Sequence, residues 1–170
     1  LTVQSLLNDD QDKIIPEKYI FGVPVSPHLA ANMEKKDIFV EEFNVPQISN
    51  GRIIIEGAGG VLVPLNDRDT ILSLVKYLKL PVIIVSSTRI GTINHTCLTI
   101  EAIRRENIAM LGVIMNGSKN EDNKLAIEKY GKVTVLDEIE PFKTLDYITL
   151  KNRKPSEKLL EVINDFSSVR

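Results

Sequence analysis

Glu56 closes the run Arg52-Ile53-Ile54-Ile55 and opens at once onto Gly57-Ala58-Gly59-Gly60. A carboxylate followed by backbone with almost no side-chain bulk leaves room for a phosphate or substrate to approach closely. Thirty residues on, the apolar run Leu80-Pro81-Val82-Ile83-Ile84-Val85-Ser86-Ser87 leads into Thr88-Arg89-Ile90-Gly91-Thr92-Ile93-Asn94-His95-Thr96. A Gly-Thr pair ahead of an apolar-periodic run is a helix start, whose unpaired N–H groups and positive dipole end favour an anion. Each segment also has a purely structural reading. Glu56 then caps an ordinary turn, and Gly91 to Asn94 form only a capping network.

Both segments require strands to position them. Three consecutive isoleucines show no alternation, which predicts a strand, Ile53–Glu56, covered on both faces of a parallel sheet. Ligands of such sheets bind outside the carboxyl ends of the strands, where Glu56 and Gly91 would lie. Along the chain we expect a helix over Leu1 to Leu7 ended by Asn8-Asp9-Asp10, and a short strand over Lys18 to Phe21. A helix is expected from the Ser26 cap and Pro27 to about Lys36, and another opened by Asn66-Asp67-Arg68-Asp69 and running to Leu78. Strand Val82–Val85 follows, then a helix from Ile93 to Arg105 with Cys97, Leu98, Ile100 and Ile103 inward. Strand Met110–Met115, helix Glu121–Tyr130 and strand Val133–Leu136 complete the alternation. Residues 152–170 read as a charged linker and one helix, Glu157–Phe166. Strands alternating with helices predict one α/β domain over residues 1–170, with a parallel, doubly covered sheet.

Composition narrows the function classes. Twenty-one basic and 23 acidic residues leave a net charge of −2, which gives no footprint for nucleic acid or an anionic membrane. No apolar run approaches the roughly 20 residues of a bilayer span, and no signal-peptide pattern is read at the start. The single Cys97 excludes an internal disulfide and fits a reducing compartment, so a cytoplasmic location is expected. His28 and His95 have no partner at ligand spacing and read as structural. Ser26 has no His–Asp companion, so nucleophilic catalysis lacks support.

Taken together, four segments in one order resemble the dethiobiotin synthetase family, ligases of the P-loop class. They are Pro24-Val25-Ser26-Pro27-His28, Glu56-Gly57-Ala58-Gly59-Gly60, Gly91-Thr92-Ile93-Asn94-His95 and Leu111-Gly112-Val113-Ile114-Met115-Asn116. The resemblance runs from about Tyr19 to about Pro141. It implies a P-loop NTPase-type sheet and the ATP-dependent conversion of 7,8-diaminopelargonic acid and CO2 to dethiobiotin through a phosphorylated carbamate. It further implies that Glu56 holds Mg2+ and, with Gly57, meets the nucleotide; a hard cation takes oxygen ligands. Ser26, Gly59 and Gly60 would line the diamine side, and Gly91, Thr92 and Asn94 the substrate carboxylate. Asn116 would read adenine, since a carboxamide both donates to and accepts from a base edge. Pro141 would lie in a second base-side loop. A homodimer with shared active sites is implied as well.

The chain departs from that family in three places. It contains no Gly-x-x-x-x-Gly-Lys-Thr phosphate loop; Gly131-Lys132-Val133 lacks both the hydroxyl and the preceding glycine. The expected reading is therefore a chain without the first strand, the phosphate loop and the helix and strand after it. Gly117 follows Asn116 where the family carries an acidic residue. Glu138-Ile139-Glu140-Pro141 is one residue longer than the family's Glu-Ile-Pro. Two rival readings are a non-catalytic binding or regulatory remnant without its phosphate loop, and an amidoligase of the cobyric acid type. Gly-Thr-Ile-Asn-His and the lack of a glutaminase domain argue against the second.

Overall fold

The computed structural model describes residues 2–8, 13–48 and 51–167. These fall into two compact units, one of Leu1–Pro16, Ile83–Cys97 and Leu111–Arg170, the other of Glu17–Val82 and Leu98–Met110.

The elements in chain order are α1 (Thr2–Leu6), α2 (Pro27–Met33), α3 (Ile71–Leu78), β1 (Val82–Ser87), α4 (Thr92–Arg105), β2 (Met110–Asn116), α5 (Glu121–Gly131), β3 (Val135–Ile139), α6 (Tyr147–Asn152) and α7 (Glu157–Ser167). The three strands form one sheet in the order β1-β2-β3, flanked by helices, so the α/β class with a parallel sheet holds. β2 and β3 run parallel with Val113 opposite Val135. The register then slips, so that Ile114 faces Asp137 and Asn116 faces Ile139. Val113, Met115, Val135 and Leu136 are buried, with Ile127 of α5 and Leu159 of α7 completing the core of this unit. α5 and α7 both pack on β3.

In the other unit, Ala31, Ile38, Val40, Leu65, Ile71 and Leu74 form the core, with Tyr19, Phe21 and Phe43 packed against it. Here α3 starts five residues later than Asn66, because that asparagine makes a turn of its own. Its Oδ1 accepts from Arg68 N at 2.8 Å and Asp69 N at 2.7 Å. The helix is then opened by Thr70, in a reciprocal capping box with Ser73. Its next N–H groups are met by tertiary partners, Ile71 N by Val63 O at 2.9 Å and Leu72 N by Val61 O at 2.7 Å.

The predicted strand Ile53–Glu56 does not form. Residues 52–57 are irregular, and Ile54 is 93% exposed. No described strand pairs with this segment, so the isoleucines have no ladder. Lys18 to Phe21 is likewise irregular; Tyr19 and Phe21 are held by side-chain packing, their rings 6.4 Å apart and nearly parallel. α2 stops at Met33 rather than Lys36, because Lys35 takes the left-handed conformation at φ 53°. β3 begins at Val135, two residues after Val133. Leu98 is exposed rather than inward, whereas Ile100 and Ile103 are fully buried as expected. Just before the expected linker lies an unpredicted helix, α6, whose Asp146 cap accepts from Thr149 N at 2.8 Å. Leu1, Asp9 and Asp10 lie outside the described residues.

Candidate functional site

The candidate residues divide between the two units. Ser26, Glu56, Gly57, Gly59 and Gly60 belong to one; Gly91, Thr92, Asn94, Asn116 and Pro141 belong to the other.

In the first group, Ser26 is the N-cap of α2 by backbone conformation, and its carbonyl accepts from Leu29 N and Ala30 N, both at 3.0 Å. Its hydroxyl makes no capping bond, so the side chain is uncommitted to the helix. His28, two residues on, has a buried Nδ1 without a hydrogen-bond partner. Glu56 is exposed, and no hydrogen bond or ion pair to a described residue engages it. Gly57 is required by crowding: a Cβ there would lie 2.9 Å from Ile71 Cγ2. Gly59 has φ +88°, a conformation that favours glycine, and Gly60 faces open space. The turn thus presents bare backbone directly after a solvent-facing carboxylate.

That carboxylate fits magnesium in a limited sense. Magnesium that is bound mainly through phosphates and water needs only one or two protein carboxylates. Among the described residues no group of three His, Cys, Asp or Glu is arranged to hold a metal. Glu56 therefore suits the role of one ligand to a cation carried by a phosphorylated substrate, rather than part of an all-protein cage.

The second group is set by the carboxyl ends of the strands. β1 ends at Ser87, and the Thr92 hydroxyl donates to the Ser87 carbonyl, tying the start of α4 to the strand. Thr92 is 4% exposed, so its side chain is structural, and its N–H is used by Arg89 O at 3.1 Å. The helix-start N–H groups left without an intrahelical partner by position are those of Ile93 and Asn94. Asn94 is exposed and Gly91 takes φ +90°, so an anion could reach this end of α4. Sequence reasoning assigned the backbone of Thr92 to the ligand; its side chain fixes the helix start.

Asn116 ends β2 and is exposed, and the next amide, Gly117 N, donates to Ile139 O at 2.9 Å. This bond sets the end of β2 beside the end of β3, two residues before the exposed Pro141. Gly117 itself has φ +143°, and a Cβ there would overlap Thr88 Oγ1. Glycine fits this position, where any Cβ would collide with Thr88. Thr88 is held in turn by Asn123 Nδ2, which donates to its carbonyl at 3.4 Å.

Sequence reasoning missed two charged contacts near this edge. Lys124 of α5 meets Glu138 of β3 at 2.9 Å, and this hydrogen bond to the carboxylate raises the Lys124 ammonium above its ordinary range. Arg153 meets the buried Asp137 at 2.7 Å. Asp137 was legible only as the first acidic residue of Asp137-Glu138-Ile139-Glu140, and nothing in the local pattern points to a partner sixteen residues away.

Comparison with known proteins agrees with the motif order. A family model described as an AAA domain matches residues 1–149. The ATP-dependent dethiobiotin synthetase BioD of Lawsonia intracellularis is 43% identical over 150 residues, which cover 88% of this chain and 73% of that protein. Its counterpart in Paramagnetospirillum magneticum is 40% identical over 143 residues, 84% of this chain and 69% of that protein. The biotin biosynthesis bifunctional protein BioCD of Bordetella avium is 35% identical over 145 residues, 85% of this chain and 31% of that longer protein. No described helix is long and apolar enough to cross a membrane.

Proposed function

Because the chain belongs to the dethiobiotin synthetase family, we propose that it closes the ureido ring of dethiobiotin in biotin biosynthesis, in the cytoplasm and as a homodimer. The substrates are 7,8-diaminopelargonic acid, CO2 and ATP. One amine takes up CO2 as a carbamate, and a carbamate oxygen attacks the γ-phosphorus of ATP and releases ADP. The second amine then attacks the carbamate carbon, the phosphate leaves with its bonding pair, and the ring closes.

The protein's share of this chemistry is positioning and charge stabilisation around the moving phosphoryl group. Magnesium, when bound, supplies positive charge to the phosphates. Glu56 is the residue that would hold it, and the bare backbone of Gly57 meets the nucleotide. Ser26, Gly59 and Gly60 line the diamine side with little bulk. Gly91 and Asn94 anchor the acid tail, with Thr92 holding that helix start in place. Asn116 donates to and accepts from the adenine edge, and Pro141 borders it. In the dimer, Asn94 serves the partner's site while Glu56 serves its own.

The observation that carries this reading is the identity to named synthetases across most of the chain, with all four motif segments in order. The test supplies the protein at its natural length with MgATP, bicarbonate and 7,8-diaminopelargonic acid. Dethiobiotin and ADP should appear in equal amounts. ATP hydrolysis without dethiobiotin, or no turnover under conditions where a bacterial synthetase works, would overturn the assignment.

A further inference from the structure

β3 is one of the two outer strands of the described sheet, and an outer strand leaves alternate carbonyls without a neighbour. Toward β2, Ile139 O accepts from Gly117 N, and Thr134 O, just before the strand, accepts from Val113 N at 3.0 Å. Its outward carbonyls, Leu136 and Glu138, are both taken by the short segment between α6 and α7. The Ser156 hydroxyl donates to Leu136 O. Arg153 Nη2 donates to Glu138 O at 3.3 Å and lies 2.7 Å from Asp137 Oδ1. Asp137 is fully engaged, since Oδ1 also accepts from Glu138 N at 2.8 Å and Oδ2 from Ser156 N at 3.2 Å. Ser156 then caps α7, accepting from Leu159 N at 3.1 Å.

We propose that Arg153 and Asp137 form a clasp that positions the carboxyl end of β3, and through it Asn116, for binding a nucleotide base. The inference rests on the reading of Asn116 and Pro141 given above. Arg153 reaches no substrate; it is a positioning residue. The mechanical link is short. The clasp grips Asp137 and Glu138, the next residue is Ile139, and the Ile139 carbonyl holds the amide immediately after Asn116. Asp137 is buried, so removing the guanidinium strands a carboxylate that must either find water or shift the strand. Either response loosens the end of β3 before it disturbs the interior of β2.

Arg153→Ala and Asp137→Asn test this in the protein at its natural length, with Arg153→Lys as the conservative variant. We expect KM for ATP to rise about three- to tenfold, with kcat and KM for the diamine within about twofold of wild type. Arg153→Lys should recover part of that rise. Amide hydrogen exchange should quicken at Gly117 and Glu138 while the buried amide of Val113 stays protected. If Arg153→Ala does not fold, Arg153→Lys and Asp137→Asn carry the same comparison. Faster exchange with an unchanged KM for ATP would make the clasp a stabilising contact only and overturn the positioning role. Unchanged exchange and unchanged KM would overturn the clasp itself and leave the proposed function standing. A wild-type protein without ATP-dependent turnover would remove that function and this inference with it.

Discussion

Gly117→Ala is the substitution whose cost follows most directly from the geometry. Gly117 has φ +143°, and an added Cβ would overlap Thr88 Oγ1 and lie 3.2 Å from Thr88 Cβ. Holding a non-glycine residue in such a region costs about 1–3 kcal/mol. Forcing a methyl group into occupied space costs about another 1–3 kcal/mol. Reduced freedom of the unfolded chain offsets about 0.4–1 kcal/mol. The net loss is about 3 kcal/mol, or a fall of about 6–12 °C in Tm for a chain of this size. Urea unfolding followed by far-UV circular dichroism measures the first quantity, and calorimetry the second. Thr88→Ala provides the decisive background, because it deletes the overlapping oxygen while leaving the backbone carbonyl that Asn123 uses. There Gly117→Ala should retain the backbone cost and the tight 3.2 Å contact with the remaining Cβ at position 88 but lose the overlap with the hydroxyl, so the two changes should couple by about 1 kcal/mol. A loss under about 1 kcal/mol in the wild-type background would refute the crowding argument. So would an equal loss in both backgrounds.

Glu56→Gln removes a charge while barely changing size, and kcat should fall about tenfold to a thousandfold; near-normal kcat at saturating magnesium would assign Glu56 to the turn alone. Exchange of subunits between inactive Glu56→Gln and Asn94→Ala proteins should restore roughly a quarter of wild-type activity if each site draws on both protomers; activity that stays at the level of the separate mutants would place both residues in one protomer's site. Glu34, Glu42 and Glu106 are held below the ordinary carboxylate range, first by hydrogen bonds from Lys36, Lys18 and Lys76, and Asp146 chiefly by the Thr149 amide. A depressed folded value means stability present above the unfolded value and lost as pH falls through the folded one, so the urea midpoint should drop as pH falls from about 5 to about 3. Lys124 acts at the other end: its raised value contributes stability that is lost only as pH rises past the ordinary lysine range. A urea midpoint that is flat across the acid window would show that these contacts are solvated away.

Much of this protein was determined by its sequence alone. The apolar runs Val82–Val85 and Met110–Met115 became strands because runs rich in β-branched and aliphatic residues suit an extended backbone in a sheet. The helix starts at Ser26 and Gly91 follow from local chemistry, in which a proline or a permissive glycine sets the first turn. The four motif segments that point to the family are likewise linear features. Tertiary structure decided what those features could not. Ile53 to Ile55 has the pattern of a buried strand, yet a strand exists only where a neighbour supplies its ladder, and none of the described strands does. Asn66 looked like a helix cap, but its side chain closes its own turn while Val61 and Val63 carbonyls meet α3 five residues later. That the Thr92 hydroxyl ties the start of α4 to the end of β1 at Ser87 was likewise not legible in the sequence. The crowding that favours glycine at position 117 comes from Thr88, 29 residues earlier. Asp137 acquired its role only when the chain after α6 returned to the edge of β3. In each case the deciding partner is distant in sequence, and local pattern carries no information about which distant groups folding will bring within a few ångströms.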